Sequence, residues 1–334
     1  MNNAKPKAGQ LRVMQVIPGP QAGLSMIFSK RQADTLERLG VNIHRFFLES
    51  RTSPLTLAGE WLRFRRELAK FNPHIIHAQY GTMTAFFCAF GCRKPLVIIY
   101  RGSDMTPVSS EDGYLRLKLS RLLSQLAALR ASGIICVSEE IKNRLWFGHS
   151  KVVVLPTGAD TALFKPCLKN EARASLKLPE DIALILFHNS GKRTMKRLDL
   201  AQQAVELVQK TGRKARLLLL QNIDRAIVPD YFNSADCLLL TSDHEGSPTV
   251  VQEAMACNVP VVSVAVGDAP QMLEGIHPGG IVPREPQAIA GAICQVLDNG
   301  ARSNGRDKAD IYSEETIAKK IIALYRQITA RKGK

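Results

Sequence analysis

Short β-branched runs alternate with longer helical patterns along almost the whole chain, and that alternation calls for parallel sheets wrapped by helices. In the first half the runs are LRVMQVI (11–17), VNIHRFF (41–47), HIIHA (74–78), LVIIY (96–100), GIICVS (133–138) and KVVVLP (151–156). The pattern restarts with IALILFH (182–188), ARLLLL (215–220), DCLLLTS (236–242), VPVVSV (259–264) and GIVP (280–283). The interval TGADTALFKPCLKNEARASLKLP lacks strong periodicity and is broken by Gly158, Pro166 and Pro179, so it reads as an interdomain linker. A chain of 334 residues is too long for one ordinary core. Two open α/β domains joined in this way are expected to place a cleft between the carboxyl ends of both sheets.

Composition narrows the class. A hydrophobic fraction of 45% and a charged fraction of 22% belong to a folded soluble protein. No apolar run approaches the roughly 18 residues that span a bilayer, and MNNAKPKAGQ lacks the apolar region of a signal peptide; a cytoplasmic protein is expected. The seven cysteines form no CxxC pair, which fits reduced thiols and argues against a disulfide framework or a zinc site. The net charge of +15 is uneven: residues 1–170 hold 24 Lys/Arg against 11 Asp/Glu, and residues 171–334 hold 21 against 19. Such a field attracts nucleic acid, anionic lipid or phosphorylated substrate without distinguishing them.

Neither half contains GxGxxG after a strand or a Walker GxxxxGK[ST], which disfavours a nicotinamide enzyme and a P-loop ATPase. Ser247 before Pro248 reads as an N-cap with Pro at the first helical position, leaving the amides of Thr249 and Val250 free to meet an anion. Within that helix Glu253 shares an otherwise apolar stripe with Val250 and Cys257. A carboxylate there is either a core acid tied to a neighbour or a group facing a ligand's hydroxyls.

The stretch EGSPTVVQEAMACNVPVVS closely resembles the Glu-x7-Glu motif of the retaining glycosyltransferases of family four. NSGKRTMKRLDLAQQAVEL looks like that family's sugar-diphosphate loop. GLSMIFSKRQADTLERLG, IIHAQYG, YRGSDMTP, ICVSEEIKNRL and VVVLPTGADTALFKP each resemble the family at the expected place, so the likeness covers most of residues 11–300. It implies the GT-B fold, two Rossmann-like parallel-sheet domains facing each other across a cleft. The expected division is an acceptor-binding domain over 1–165, a nucleotide-sugar donor-binding domain over 166–312, and a C-terminal helix with a basic tail over 313–334.

From the resemblance, Glu253 would bind the ribose hydroxyls of a nucleotide-diphosphate sugar. Glu245, with the donor-binding segment Gly246, Ser247, Pro248 and Thr249, whose N–H groups come from every residue but the proline, would hold the transferred sugar. Arg193 and Lys196 would grip the diphosphate, without a metal or further cofactor. The charge logic agrees, since a departing diphosphate must be met by cations and amide dipoles. Arg forks onto phosphate oxygens while Lys supplies a mobile point charge; the other reading of KRTMKR is a solvated basic loop.

In the first domain Gly23 lies in a loop where backbone could approach phosphate or acceptor, and His77 ends a strand; a plain loop and a structural histidine are the alternatives. Where many members have His in an HGSD-like sequence, this chain has Arg101-Gly102-Ser103-Asp104. Arg is no general base near neutral pH, so an acid–base role for that position does not transfer. Arg101 could bind an anionic group instead, and Asp104 could orient a sugar hydroxyl or hold a turn. The basic helical stretches EWLRFRRELAKF and YLRLKLSRLLSQLAALR suit packing on a sheet or attachment to an anionic membrane.

The resemblance thus implies a retaining hexosyltransferase acting on a saccharide or lipid-linked saccharide in cell-surface polysaccharide synthesis, in the cytoplasm or peripheral on the inner membrane face. The alternatives are a GT-B nucleotide-sugar epimerase and a non-catalytic sugar-binding protein. No nucleic-acid module is recognisable, and nucleic acid is not an expected partner.

Overall fold

The computed structural model describes residues 10–23, 25–49, 53–105, 114–189 and 193–331, the side chains of Pro54, Tyr114, Leu115, Arg116 and Arg193 excepted. The chain forms two compact units: the first runs to Pro156 and is rejoined by the chain at Ile317, and the second is Thr157–Thr316. All the strands expected from the alternation are present.

The first unit is built on a six-stranded parallel sheet in the order β2-β1-β3-β4-β5-β6. Its strands are β1 (Arg12–Pro18), β2 (Asn42–Leu48), β3 (Ile75–Ala78), β4 (Leu96–Tyr100), β5 (Gly133–Cys136) and β6 (Val152–Val154). The central strands β3, β4 and β5 are buried along their full length, which is why they read as continuous apolar runs rather than alternating ones. Helix Pro54–Phe71 starts with Ser53 accepting from the amide of Thr56 and inserts Phe64 between Phe46 and Phe87. The C-terminal helix Glu314–Arg331 buries Ile321, Tyr325 and Ile328 in this same core.

The second unit carries a five-stranded parallel sheet in the order β11-β10-β9-β7-β8. Its strands are β7 (Ala183–His188), β8 (Ala215–Leu220), β9 (Cys237–Leu240), β10 (Val261–Val264) and β11 (Gly279–Val282). Strand order reverses between β7 and β9, so the two chain segments leaving those strands diverge and open a crevice at the carboxyl edge of the sheet.

Two boundary expectations are corrected. The interval after Pro156 is folded into the second unit rather than being a linker. Ala159 bridges to Ser313, Phe164 packs edge-on against Phe232, and Lys169–Ser175 is a helix anchored by buried Arg173. Residues 317–331 are likewise no separate appendage, because their apolar face belongs to the first core. No helix of the described residues is long and apolar enough to cross a membrane.

Candidate active site

In the second unit the sequence-singled residues converge at the carboxyl edge around β7 and β9. The short helix Arg193–Lys196 is fastened to the end of β9: Thr241 Oγ1 donates to the carbonyls of Lys196 and Arg197, and the Asp243 amide donates to Met195 O. Arg284 reinforces the strand end by donating to the carbonyls of Thr241 and Ser242 and to Asp243 Oδ1 at 2.7, 2.9 and 3.0 Å. This scaffold brings Lys196 Nζ to 2.6 Å from Glu245 Oε1, with the two side chains only 19% and 15% exposed. The backbone of Arg193 opens the same helix; its side chain lies outside the described residues.

The loop after β10 closes on this pair from the other side. Gly267 has φ +55°, and a Cβ there would stand 2.8 Å from Gly246 O and 3.0 Å from Glu245 O, so no side chain fits. Asp268 follows, and burial pushes its carboxyl up to about 7, partly offset by the Ser247 hydroxyl and reinforced by the Glu245 charge. His188, at the end of β7, is held neutral: burial first and then the Lys196 charge bring its pKa down to about 4, against the opposing charge of Glu245.

Ser247 does not cap the helix. Pro248 occupies the N-cap of Thr249–Ala256, and Ser247 Oγ instead accepts from Gln252 Nε2 at 3.1 Å. Pro was expected one position further along, but its extended ψ of 99° places it outside the helix. Glu253 is also not enclosed: it is half-buried, while Val250, Val251, Gln252 and Cys257 line the buried side.

Asn189 Oδ1, Ser242 Oγ, Gln252 Oε1 and Asp268 Oδ1 are buried without a hydrogen-bond partner. All four sit on segments leaving β7, β9 and β10 or on the helix that follows β9, and they are the only such atoms of the second unit among the described residues. Buried polar groups are ordinarily satisfied. Their collection at one edge, beside an ion pair and a helix start, marks a place built for a polar, charged ligand. His188, Gln252 and Asp268 were not singled out from sequence. The strand-end position of His188 at the order reversal was a readable signal, whereas Asp268 arrives from a separate loop.

In the first unit Arg101, Asp104 and His77 lie at or beyond the ends of β3 and β4. Asp104 accepts from the amides of Gly81, Gly102 and Arg101, so its carboxylate holds the turn between these strand ends. Arg101 Nη2 donates to Gln79 Oε1 at 3.1 Å, while its Nε and Nη1 are buried without partners. Burial lowers the Arg101 pKa to about 10, against the pull of Asp104, so the guanidinium stays charged at neutral pH. His77 is sealed in the core, with Nδ1 against Tyr325 OH and Gln79 Nε2. Its pKa falls to about 3 through burial and then the Arg101 charge, so it is a neutral, structural histidine here. Gly23 is exposed at φ +80° and accepts from Lys30 Nζ; its left-handed backbone accounts for glycine without a close approach.

Among the described residues no group of three His, Cys, Asp or Glu is arranged to hold a metal ion. None of the seven cysteines is paired.

Comparison with known proteins was made on this basis. A family model described as glycosyl transferases group 1 matches residues 169–316, and one described as glycosyltransferase family 4 matches residues 25–163. The chain is 28% identical over 288 residues to TuaC of Bacillus subtilis, a glycosyltransferase named for teichuronic acid biosynthesis, covering 77% of this chain and 71% of that one. Among solved structures, sucrose-phosphate synthase from Thermosynechococcus elongatus superposes with TM-score 0.78 at 21% identity, over 96% of this chain and 100% of that one. Anabaena Alr3699/HepE in complex with UDP gives TM-score 0.70 at 19% identity, over 95% of this chain and 100% of that one. These structural likenesses establish the shared GT-B fold.

Proposed function

The chain belongs to the group 1, family 4 glycosyltransferases, and from that membership we propose that it moves a hexose from a nucleotide-diphosphate donor to a saccharide or lipid-linked saccharide with retention of configuration. The observation that carries the donor site is the set of unpartnered buried polar atoms around the Lys196–Glu245 pair at the carboxyl edge of the second sheet. Three of these atoms are acceptor oxygens and the fourth is a hydroxyl, so the donating hydroxyls of a sugar are the complement the set requires, while the diphosphate oxygens fall to the cations and helix amides.

In this reading Lys196 keeps two further N–H donors for the diphosphate while one holds Glu245. Arg193, at the start of the same helix, is the second cation. The charge that develops on the leaving diphosphate is met by these cations and by the first amides of the helix Thr249–Ala256. Glu245 supports the sugar electrostatically, and Glu253, half-exposed on the following helix, takes the ribose hydroxyls. Attack on the face from which the diphosphate departs retains configuration, with the leaving group accepting the acceptor's proton. Arg101 stands in the first unit as a cation for an anionic group of donor or acceptor. A role in cell-surface polysaccharide synthesis fits the kinship with TuaC, and a lipid-linked acceptor would place the work at the inner membrane face.

Calorimetric titration with UDP, GDP and ADP tests the donor site, UDP first because HepE holds it. Selective binding of one nucleotide is expected, weakened at least tenfold in Lys196→Ala, whose turnover should fall by about 10²–10³. Binding of none, or a variant that binds as the parent does, overturns the assignment. Release of UDP with an altered sugar in the absence of acceptor would identify an epimerase instead.

A further inference from the structure

An open pocket of about 920 Å³ lies in the first unit where the helices Pro54–Phe71 and Thr82–Gly91 meet the end of helix Tyr114–Arg130. Its residues precede β3, β4 and β5, so it sits at the edge of the sheet opposite the one that carries Gln79 and Arg101. Arg65, Arg93, Lys94 and Arg130 line it, and no acidic side chain does among the described residues. Arg65, Arg93 and Arg130 have no carboxylate partner among the described residues, while Lys94 donates only to Asn72 Oδ1. The charges of Arg130, Arg65 and Lys94 all act on the Cys92 thiol within the pocket.

Beside these cations the surface is apolar. Phe90 is 65% exposed, Leu62 is 53% exposed, and Trp61 is 41% exposed with the Arg65 guanidinium over its ring at 5.3 Å. Trp61 Cδ1 lies 3.8 Å from where a Cβ on Gly91 would stand, which places the indole next to Phe90. Unpaired cations around a hollow, rimmed by exposed Trp, Phe and Leu, complement a phosphate set in hydrocarbon. A nucleic acid would satisfy the charges but leave Leu62 and Leu55, which is 87% exposed, against water.

We propose that this pocket seats the phosphate headgroup of an anionic phospholipid, with Trp61, Leu62 and Phe90 entering the membrane interface beside it. The surface lies at the sheet edge away from Gln79 and Arg101, so it would hold the protein to a membrane without itself presenting an acceptor, and it is separate in test from the donor site.

The intact protein is mixed with vesicles of phosphatidylcholine alone or with roughly one third phosphatidylglycerol, at about 0.1 M salt, where surface charges still act over about 10 Å. Sedimentation with the anionic vesicles only is expected. Because the chain has two tryptophans, Trp146→Phe leaves Trp61 as the sole indole, and its emission should shift to the blue on binding. Arg65→Glu/Arg130→Glu should weaken binding at least about 25-fold, on the order of fivefold per lost cation. Phe90→Ser should abolish the blue shift while keeping weak electrostatic attraction, and neither variant should alter UDP titration or the thermal midpoint.

Equal binding to neutral vesicles, an unmoved Trp61, variants that bind as the parent does, or complete release by inorganic phosphate would each overturn the proposal. So would capture of RNA with abolished vesicle binding, or association only with a second copy of the chain. Vesicle binding without nucleotide binding would instead sink the donor-site reading and leave this surface standing.

Discussion

In the second unit Arg173, Lys196, Arg197, Arg213, Lys214, Arg225 and Arg284 each face a carboxylate. In the first, Arg45, Arg63, Lys142 and Arg144 do so, but the cations around the pocket have no such partner among the described residues. Exposed aromatics follow the same division: Phe28, Trp61, Phe90, Trp146 and Phe147 all belong to the first unit. The contrast in net charge between the two halves is therefore more than a count. Positive charge in the second unit is spent on fixing loops and tuning one edge of a sheet, whereas in the first a share of it is left facing outward beside apolar side chains.

The strongest way to break that contrast is to delete one arginine from each kind of setting. Arg173 is 3% exposed and donates to Asp236 Oδ2 and to the carbonyls of Ser234, Pro179 and Glu180. Arg173→Ala leaves those acceptors buried, and urea unfolding should register a loss of about 3–5 kcal/mol. A loss below about 1 kcal/mol would mean that Lys169, whose Nζ also reaches Asp236, holds the segment alone.

Next in size is the acid that escapes the pairing of the second unit. Asp268 titrates near 7 in the fold against 3.8 as the ordinary value. A raised carboxyl favours the protonated folded form, so its contribution is fully present below about pH 4 and is lost as pH rises through about 7. Asp268→Asn, which cannot ionise, should match the parent near pH 4 and exceed it at pH 8 by about 1–3 kcal/mol in urea unfolding. An equal difference at both pH values would show that the substitution acts through packing rather than charge.

How much of this was legible in the sequence differs between the units for physical reasons. Strands buried on both faces write themselves as apolar runs, and the partly exposed β6, β8 and β11 are still rich enough in Val, Leu and Ile to be read as well. Glu245 and Lys196 could be singled out because the stretches that hold them resemble the family's motifs. The pairing that joins them depends on Thr241 and Arg284, whose partners lie more than forty residues away. Phe164 and Arg173 do their anchoring without periodicity, which is why a folded segment passed for a linker. In the first unit the amphipathic helix Pro54–Phe71 was visible, but not that Phe64 alone of its aromatics is fully buried while Trp61 faces out. That depends on Phe46 and Phe87 approaching from other elements.

The smallest effect tests the first unit on its own terms. Arg65 touches Trp61 and nothing acidic among the described residues, so Arg65→Ala removes one exposed cation–π contact worth about 0.5–1 kcal/mol. It also relieves repulsion from Arg130 and Lys94, with which Arg65 shares the surroundings of Cys92. These terms oppose each other, and unfolding in urea at low salt should shift by no more than about 0.5 kcal/mol. Added salt screens the repulsion and should therefore stabilise the parent more than the variant. A loss comparable to that of Arg173→Ala would make Arg65 a structural arginine, and an unchanged salt response would mean its charge is already neutralised. Either result would erase the difference between the two units that the pairing pattern describes.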